Sequence, residues 1–206
     1  MRTKLLGLVI IVVLAAAGAV GWVGYQLFAT GFSAKAEPHA LEVLMARQVR
    51  HLAIPLAHRN TANPVPVTPE VLQEGLAHFA DHCATCHAND GSGKTPIGKG
   101  VYPKAPDLRE AATQTMSDGE LFWVIHNGIR FTAMPAWGEG DPDQDLDSWK
   151  LVHFLRHLPK LTPDELEQME SLNPKTKRQV EEDASFDRFL QGDDAAASQA
   201  GSGHHH

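Results

Sequence analysis

The sequence lacks the cysteines that a disulfide-rich scaffold needs, since its 206 residues include only Cys83 and Cys86. It also lacks an excess of basic charge, with 18 Lys and Arg residues against 25 Asp and Glu and a formal net charge of −7. Nucleic acid is therefore not expected as a partner, because binding to phosphates needs a basic surface. No stretch shows convincing strand alternation either, and this predicts an all-α fold.

Charged residues are absent from residues 5–28, which form an apolar run. The run is slightly longer than the ~20 residues that cross the hydrocarbon core of a bilayer. Trp22 and Tyr25 lie near its far end, where aromatic rings favour the membrane interface. Because Arg2 and Lys4 precede the run, we expect a cytoplasmic N-terminus and place all later residues on the other side of the membrane.

A cleaved signal peptide is the competing interpretation of this run. Ala34, Lys35 and Ala36 form a small-x-small pattern that is typical of a cleavage site. However, the apolar part of a signal peptide has about 7–15 residues, and the run is much longer. We therefore expect residues 1–29 to remain as a transmembrane anchor.

Residues 30–67 are predicted to be a linker that contains one short helix. Within residues 37–54, the apolar spacing places Leu41, Leu44 and Met45 on one helical face. This helix is expected to rest on the membrane or on the folded domain. The residues that follow it are rich in Pro and Asn, which predicts an extended segment.

Three helices are predicted within residues 68–159, which we expect to form one folded domain. The first begins at Thr68, a cap residue followed by proline, and ends at the cysteines. The second begins at Ser117, where Ser117 and Glu120 have the spacing of a capping box. The third covers about residues 145–158 and carries apolar residues at helical spacing.

Residues 160–206 are expected to form an acidic tail that is partly helical or disordered. They contain five basic and ten acidic residues, a composition typical of a solvated segment. A capping box at Thr162 and Glu165 predicts one short helix, and residues 175–191 predict a polar second one. The terminal GSGHHH resembles part of an expression tag or is a natural histidine-ended tail, and we assign it no function.

The segment from Cys83 to His87 reads Cys-Ala-Thr-Cys-His, and three interpretations compete for it. A thioredoxin-like disulfide needs this motif after a strand, whereas here it follows a predicted helix. Zinc needs four ligands, and no second pair of ligands follows. The third interpretation is covalent haem, because two thiols one helical turn apart can bond the two vinyl positions of one porphyrin edge. The next residue, His87, would then reach the iron, and we expect this third interpretation.

Met134 is the expected second axial ligand of the iron. Pro135 restricts the backbone of Met134 to an extended conformation, and a His/Met ligand pair raises the reduction potential of a haem. Met116 is the rival, although its position just before a helix explains it as part of a hydrophobic staple. His126 and His58 are further alternatives, for which a surface or linker position is the simpler explanation.

The order of these motifs resembles that of class I cytochromes c, close to the domains that serve as mono-haem carriers and as modules of membrane oxidases. The matching residues, which lie within residues 68–159, are Gly75, Phe79, Cys83, Cys86, His87, Pro106, Asp107, Leu108, Met134, Pro135, Trp149, Phe154 and Leu155. The resemblance implies the class I cytochrome c fold, a small helical domain around a covalent haem. It also implies that the first and last helices cross at Gly75. The carbonyl of Pro106 is expected to accept a hydrogen bond from Nδ1 of His87.

The expected function is that of a membrane-anchored, mono-haem c-type cytochrome that carries single electrons between respiratory or other periplasmic redox partners. It is not expected to be an enzyme itself, because an iron held by His87 and Met134 has no open coordination position. The alternative is a haem c subunit of a larger membrane oxidase or dehydrogenase complex. Trp137 is expected to pack over a haem propionate or the haem edge, or else in the core.

A basic rim is a candidate docking surface for an acidic redox partner. Lys94, Lys99 and Lys104 follow the attachment motif on one predicted loop, and charges of this kind steer a partner of opposite charge. A solvated loop without a docking role is the simpler explanation.

Overall fold

The computed structural model describes residues 2–31, 33–38 and 40–190. Every regular element within these ranges is helical, which confirms the all-α fold class. The α-helices are α1 (Arg2–Thr30), α2 (Ala40–Ala53), α3 (Leu56–Arg59), α4 (Pro69–His78), α5 (Ala84–His87), α6 (Pro96–Gly100), α7 (Ala111–Gln114), α8 (Asp118–Asn127), α9 (Leu146–His157), α10 (Pro163–Leu172) and α11 (Lys177–Leu190). The expectations for residues 191–206, including the GSGHHH ending, lie outside the described residues.

Helix α1 contains the predicted apolar run. Its segment Lys4–Gln26, 23 residues with a mean hydropathy of 2.6, is long and apolar enough to cross a membrane. No residue of its most apolar stretch is buried against the rest of the described chain. A helix that presents apolar side chains all round needs an apolar solvent, and this is what a lipid bilayer provides. The prediction of an apolar N-terminal helix is therefore confirmed.

The first and last helices of the folded domain cross at Gly75, as the resemblance implied. A Cβ atom on Gly75 would lie 2.7 Å from the backbone oxygen of Lys150 and 2.9 Å from Cβ of Phe154. Only glycine permits so close an approach of two helix backbones. Beside the crossing, the rings of Phe79 and Phe154 are buried with centroids 5.2 Å apart. This contact fixes α4 against α9 and so positions the segment that follows α4.

Gly75→Ala is expected to lower the free energy of unfolding by about 1–3 kcal/mol, because the added methyl group meets backbone and cannot be accommodated by a side-chain rotation. Gly100→Ala is the matched control, since a Cβ atom on this other helical glycine meets nothing within 4 Å. Denaturant unfolding of the detergent-solubilised chain, followed by circular dichroism, measures both variants. Equal midpoints for the two variants would contradict the proposed crossing.

The chain remains helical beyond the predicted end of the first helix near His82. Helix α4 continues through a wide π-helical turn, Phe79–Cys83, directly into α5. A π turn contains one more residue than an α turn, so it changes the direction in which the following side chains point, and such turns are frequent at functional sites. Phe79 is buried against α9, and Cys83 lines a cavity on the domain's inner side. The attachment motif therefore lies on a continuous helical path.

Helices α8 and α10 begin as predicted. Ser117 accepts a hydrogen bond from the backbone N–H of Glu120, and the Glu120 side chain accepts one from the backbone N–H of Ser117. Thr162 and Glu165 form the same reciprocal pair at the start of α10. Each capping box satisfies two backbone donors that a helix leaves unpaired at its first turn.

Helix α9 forms the centre of the core with most of its predicted apolar face. Trp149, Val152 and Leu155 are buried, and the indole of Trp149 stacks on Phe122 of α8 with ring centroids 4.1 Å apart. Leu146, which has the helical spacing of the same apolar face, is 49% exposed because it is the first residue of the helix and lies beyond the buried stretch.

The segments on either side of the predicted domain also pack against it. Before it, Asn63 donates a hydrogen bond of 2.9 Å from Nδ2 to the carbonyl of Trp149. After it, Met169 of α10 is fully buried, and Oε1 of Glu165 lies 2.7 Å from Nε2 of His157. Helix α10 is thus not the solvated segment that the acidic composition predicted, because Met169 anchors it to the core. Helix α11 is exposed along its described side chains.

Candidate haem site

A mostly apolar cavity of about 360 Å³ lies inside the helical domain. Its volume falls within the ~300–1,000 Å³ range that is usual for cofactor pockets. Apolar side chains of α8, of α9 and of the loop before α7 form much of its wall. They are Leu108, Leu121, Val124, Ile125, Leu151 and Leu155. Such a wall excludes water and lowers the local dielectric, which suits a large apolar ring system.

The predicted attachment residues and the predicted iron ligands lie on this one cavity. Cys83, Cys86 and His87 line it from the π turn and α5, and Met134 lines it from the loop after α8. The loop is held in place by its own backbone, since the N–H of Ile129 donates to the carbonyl of Met134 across 3.1 Å. The structure therefore brings together side chains that are about fifty positions apart in the sequence.

His87 has the chemistry of a metal ligand. Its Nδ1 is buried and has no hydrogen-bond partner among the described residues. Burial lowers the pKa of His87, while the nearby backbone of Pro106 acts in the opposite direction and raises it. The ring is thus favoured in the neutral form, which is the form that binds metals. Pro106 also lines the cavity, as expected, although no hydrogen bond of normal geometry joins it to Nδ1.

The two cysteines do not have the environment of a redox pair. Both thiols are free, and burial, followed by the neighbouring Cys86, raises the pKa of Cys83 to about 12. A reactive thiol has a lowered pKa instead, because the thiolate is the nucleophile. A zinc site is not favoured either, since the described part of the chain contains no cluster of three or more His, Cys, Asp or Glu side chains placed to hold a metal ion.

Met116, the rival of Met134, lines the same cavity and packs against the core. Its location therefore does not decide which of the two methionines is the iron ligand. What differs is the surrounding chain: Met116 directly precedes the capping box of α8, whereas Met134 lies in a loop and is followed by Pro135. The choice of Met134 as axial ligand stays a prediction.

His126 is buried, which corrects the expectation of a surface position. Its Nδ1 lies 2.6 Å from Oδ2 of Asp145, which also caps α9 by accepting a hydrogen bond from the N–H of Ser148. Burial raises the pKa of Asp145, but the hydrogen bonds from Ser148 and His126 outweigh it and hold the pKa below its usual value. His58 stacks on Trp123 with ring centroids 4.6 Å apart. Neither histidine is among the residues that line the described cavity, so neither is favoured as a sixth ligand.

Trp137 lines the cavity and packs partly against the core, and its packing on a haem stays a prediction. Its ring meets the edge of His82 with centroids 5.3 Å apart. His82 also lines the cavity and was not singled out in the sequence. Its position directly before Cys83 is the signal that would have identified it.

The basic rim is not a set of three equivalent lysines. Nζ of Lys104 donates hydrogen bonds to the carbonyls of Ala34 and Lys99, across 2.9 and 2.7 Å. Lys94 and Lys99 are exposed. An ammonium group that is held by two backbone carbonyls is less available to a partner, so the docking role of the rim stays a hypothesis for Lys94 and Lys99.

Helix α2 lies over the cavity with a face other than the predicted apolar one. Leu41, Leu44 and Met45 are exposed, so this face does not rest on the folded domain, and its contact with the membrane stays a prediction. The opposite side of the helix lines the cavity through Glu42, Val43, Ala46, Arg47 and Arg50. Helix α2 is therefore part of the site, and not only part of a linker.

The domain has crossed first and last helices and a CxxCH motif on its cavity wall, an arrangement that resembles class I c-type cytochromes. The residues present fit a covalent haem, since they offer two thiols, a neutral imidazole and a thioether around one apolar cavity.

The comparisons with known proteins agree with this class. Residues 70–155 match the family described as cytochrome c oxidase, cbb3-type, subunit III. Among curated proteins, the chain is similar to the Cbb3-type cytochrome c oxidase subunit CcoP of Cereibacter sphaeroides, with 34% identity over 83 residues. The match covers 40% of this chain and 27% of the length of that protein. Residues 70–155 of the chain are thus similar to a c-type cytochrome domain of an oxidase subunit, and the chain spans about a quarter of the length of this relative.

Proposed function

We propose that the domain binds one haem c and transfers single electrons. The cavity that brings Cys83, Cys86, His87 and Met134 together carries this proposal. Thioether bonds from both cysteines would attach the haem, and His87 and Met134 would be its axial ligands. The chain contains no cysteine beyond these two, so its sequence supplies thiols for one doubly attached haem and no more.

Each residue of the site has a defined task. His87 would present a neutral imidazole, and the Pro106 carbonyl would orient it and increase its donor strength by accepting a hydrogen bond from Nδ1. The apolar wall excludes water, and Met134 would supply a thioether as the second iron ligand. When bound, haem c supplies a reversible one-electron change between Fe(II) and Fe(III). With both ligands supplied by side chains, the iron would have no position open for oxygen chemistry.

The membrane anchor determines where this carrier would work. We place the N-terminus in the cytoplasm and the haem domain on the periplasmic side, on the basis of Arg2 and Lys4 before the apolar run. Residues 1–29 would be the anchor, 30–67 the linker, 68–159 the cytochrome domain and 160–206 the tail. Tethering raises the effective concentration of the carrier near membrane redox complexes.

A haem c subunit of a larger membrane complex is the second candidate function. The similarity to an oxidase subunit favours it. Helices α10 and α11 favour it too, because they lie outside the matched residues and a minimal carrier needs neither. In both cases the partners would be redox proteins or membrane electron-transfer complexes.

Purification of the full chain from membranes in mild detergent tests the proposal. We expect one covalent haem per chain by the pyridine haemochrome spectrum, and reversible one-electron reduction. A chain without covalent haem, produced in a host with the attachment machinery, would refute haem binding. Co-purifying subunits with oxidase or dehydrogenase activity would replace the stand-alone carrier with the second candidate.

A further inference from the structure

Two arginines of α2 line the haem cavity. Arg47 and Arg50 are three positions apart, so they lie on the same face of the helix, together with Val43 and Ala46. Arg50 is half-buried and Arg47 is exposed. The half-buried Arg50 is costly beside a mostly apolar cavity unless an anion compensates its charge.

The described residues do not supply that anion. Neither arginine has an ion pair or a hydrogen bond within this part of the chain. Glu42 is the one carboxylate among the described residues that line the cavity, and it accepts a hydrogen bond from the hydroxyl of Tyr102. The carboxylate of Glu120 is also engaged, by His51 and by the backbone N–H of its own capping box.

The two guanidinium groups also disfavour each other. Burial lowers the pKa of Arg50, Arg47 lowers it further, and Glu120 compensates only in part. An anion between the two arginines would reverse this repulsion. The ligand that suits both arginines is therefore an anion inside the cavity with more than one acceptor oxygen.

We infer that Arg47 and Arg50 bind the propionate carboxylates of the haem, so that α2 closes the cavity over the cofactor. Haem has two such carboxylates, and a guanidinium group matches the planar geometry of a carboxylate with two parallel hydrogen bonds. This inference rests on the proposed haem binding. It means that α2, which lies outside the matched residues 70–155, neutralises the charge of the cofactor.

The inference has a measurable consequence for the reduction potential. Removal of a cation that neutralises a propionate leaves negative charge beside the iron, and negative charge favours Fe(III) over Fe(II). We expect Arg50→Gln to shift the reduction equilibrium roughly three- to tenfold toward Fe(III), about 28–59 mV at 59 mV per tenfold. Arg47→Gln should act in the same direction, and Arg50→Lys should stay closer to the wild-type potential than Arg50→Gln.

Lys104→Gln is the matched control, because Lys104 is a cation on the same cavity wall whose ammonium is held by backbone carbonyls. Spectroelectrochemical titration of the full chain in detergent gives the potentials. Larger shifts in the arginine variants than in Lys104→Gln support propionate binding. Equal shifts would show a general effect of charge and would overturn it.

Two further measurements separate the possible failures. A pyridine haemochrome spectrum of each chain reports covalent haem: a wild-type chain without it refutes the proposed function, whereas unchanged potentials in haem-loaded arginine variants refute only this inference. Redox-difference infrared spectra report the propionates directly, and their carboxylate bands should move in Arg50→Gln but not in Lys104→Gln. If Arg50→Gln does not take up haem, the reduction potentials and the carboxylate bands of Arg47→Gln and Arg50→Lys test the inference instead.

Discussion

Met134→Leu is expected to abolish the iron–thioether charge-transfer band and to shift the reduction equilibrium at least tenfold toward Fe(III), ~59 mV or more for a one-electron couple. Leucine has nearly the volume of methionine but no donor atom, so the change removes the ligand with little loss of packing. A thioether ligand raises the haem potential, and its loss should therefore lower it. The absorption spectrum of the oxidised protein and a potentiometric titration measure both effects.

Met116→Leu is the control for this substitution, since Met116 lines the same cavity. We expect it to keep the band and a potential near that of the wild type. A band that disappears in Met116→Leu and persists in Met134→Leu would exchange the roles of the two methionines. Carbon monoxide gives an independent readout: the reduced Met134→Leu chain should bind it, whereas the wild type should not, because Met134 would occupy the axial position.

Features that depend on neighbouring residues could be predicted from the sequence. The caps at Thr68, Ser117 and Thr162 are satisfied within three residues, so a short stretch of sequence contains all the partners. The same holds for the apolar anchor, whose length and composition are sufficient. The crossing at Gly75 came from the resemblance to a known class, because the sequence alone does not say which helix passes beside a glycine.

Features that depend on distant partners were not predictable from periodicity. His126 is buried because Asp145, nineteen positions later, accepts its hydrogen bond. No pattern within α8 indicates this partner. The π turn that precedes Ala84 is similar, since it begins at Phe79, whose ring packs on the distant Phe154, and no local pattern indicates it.

The apolar spacing of helix α2 did not identify the face that lines the cavity. Its leucines are exposed, while Val43, Ala46, Arg47 and Arg50 line the cavity. Arginine counts as polar in a periodicity argument, yet its long aliphatic stem packs well against apolar surface. The spacing of the arginines relative to Val43 and Ala46 is the signal that would have identified the cavity face.

Cys83→Ser together with Cys86→Ser is expected to reduce the covalent haem content at least tenfold, because serine forms no thioether with a vinyl group. The pyridine haemochrome spectrum of the purified chain, relative to protein concentration, is the measurement. Each single variant should retain one thioether. Its haemochrome band should move to longer wavelength, since one vinyl group then stays unsaturated.

Thr85→Ser is the matched control, because Thr85 lies between the two cysteines and is exposed. It should leave the haem content and the band position unchanged.

The same preparations distinguish the rival interpretations of the motif. Zinc bound in proportion to protein and lost in the double variant would indicate a structural metal site, and a thiol pair that oxidises and reduces reversibly would indicate redox exchange. The high pKa of Cys83 argues against redox exchange, because a reactive thiol has a lowered pKa, and it suits a thiol consumed in attachment.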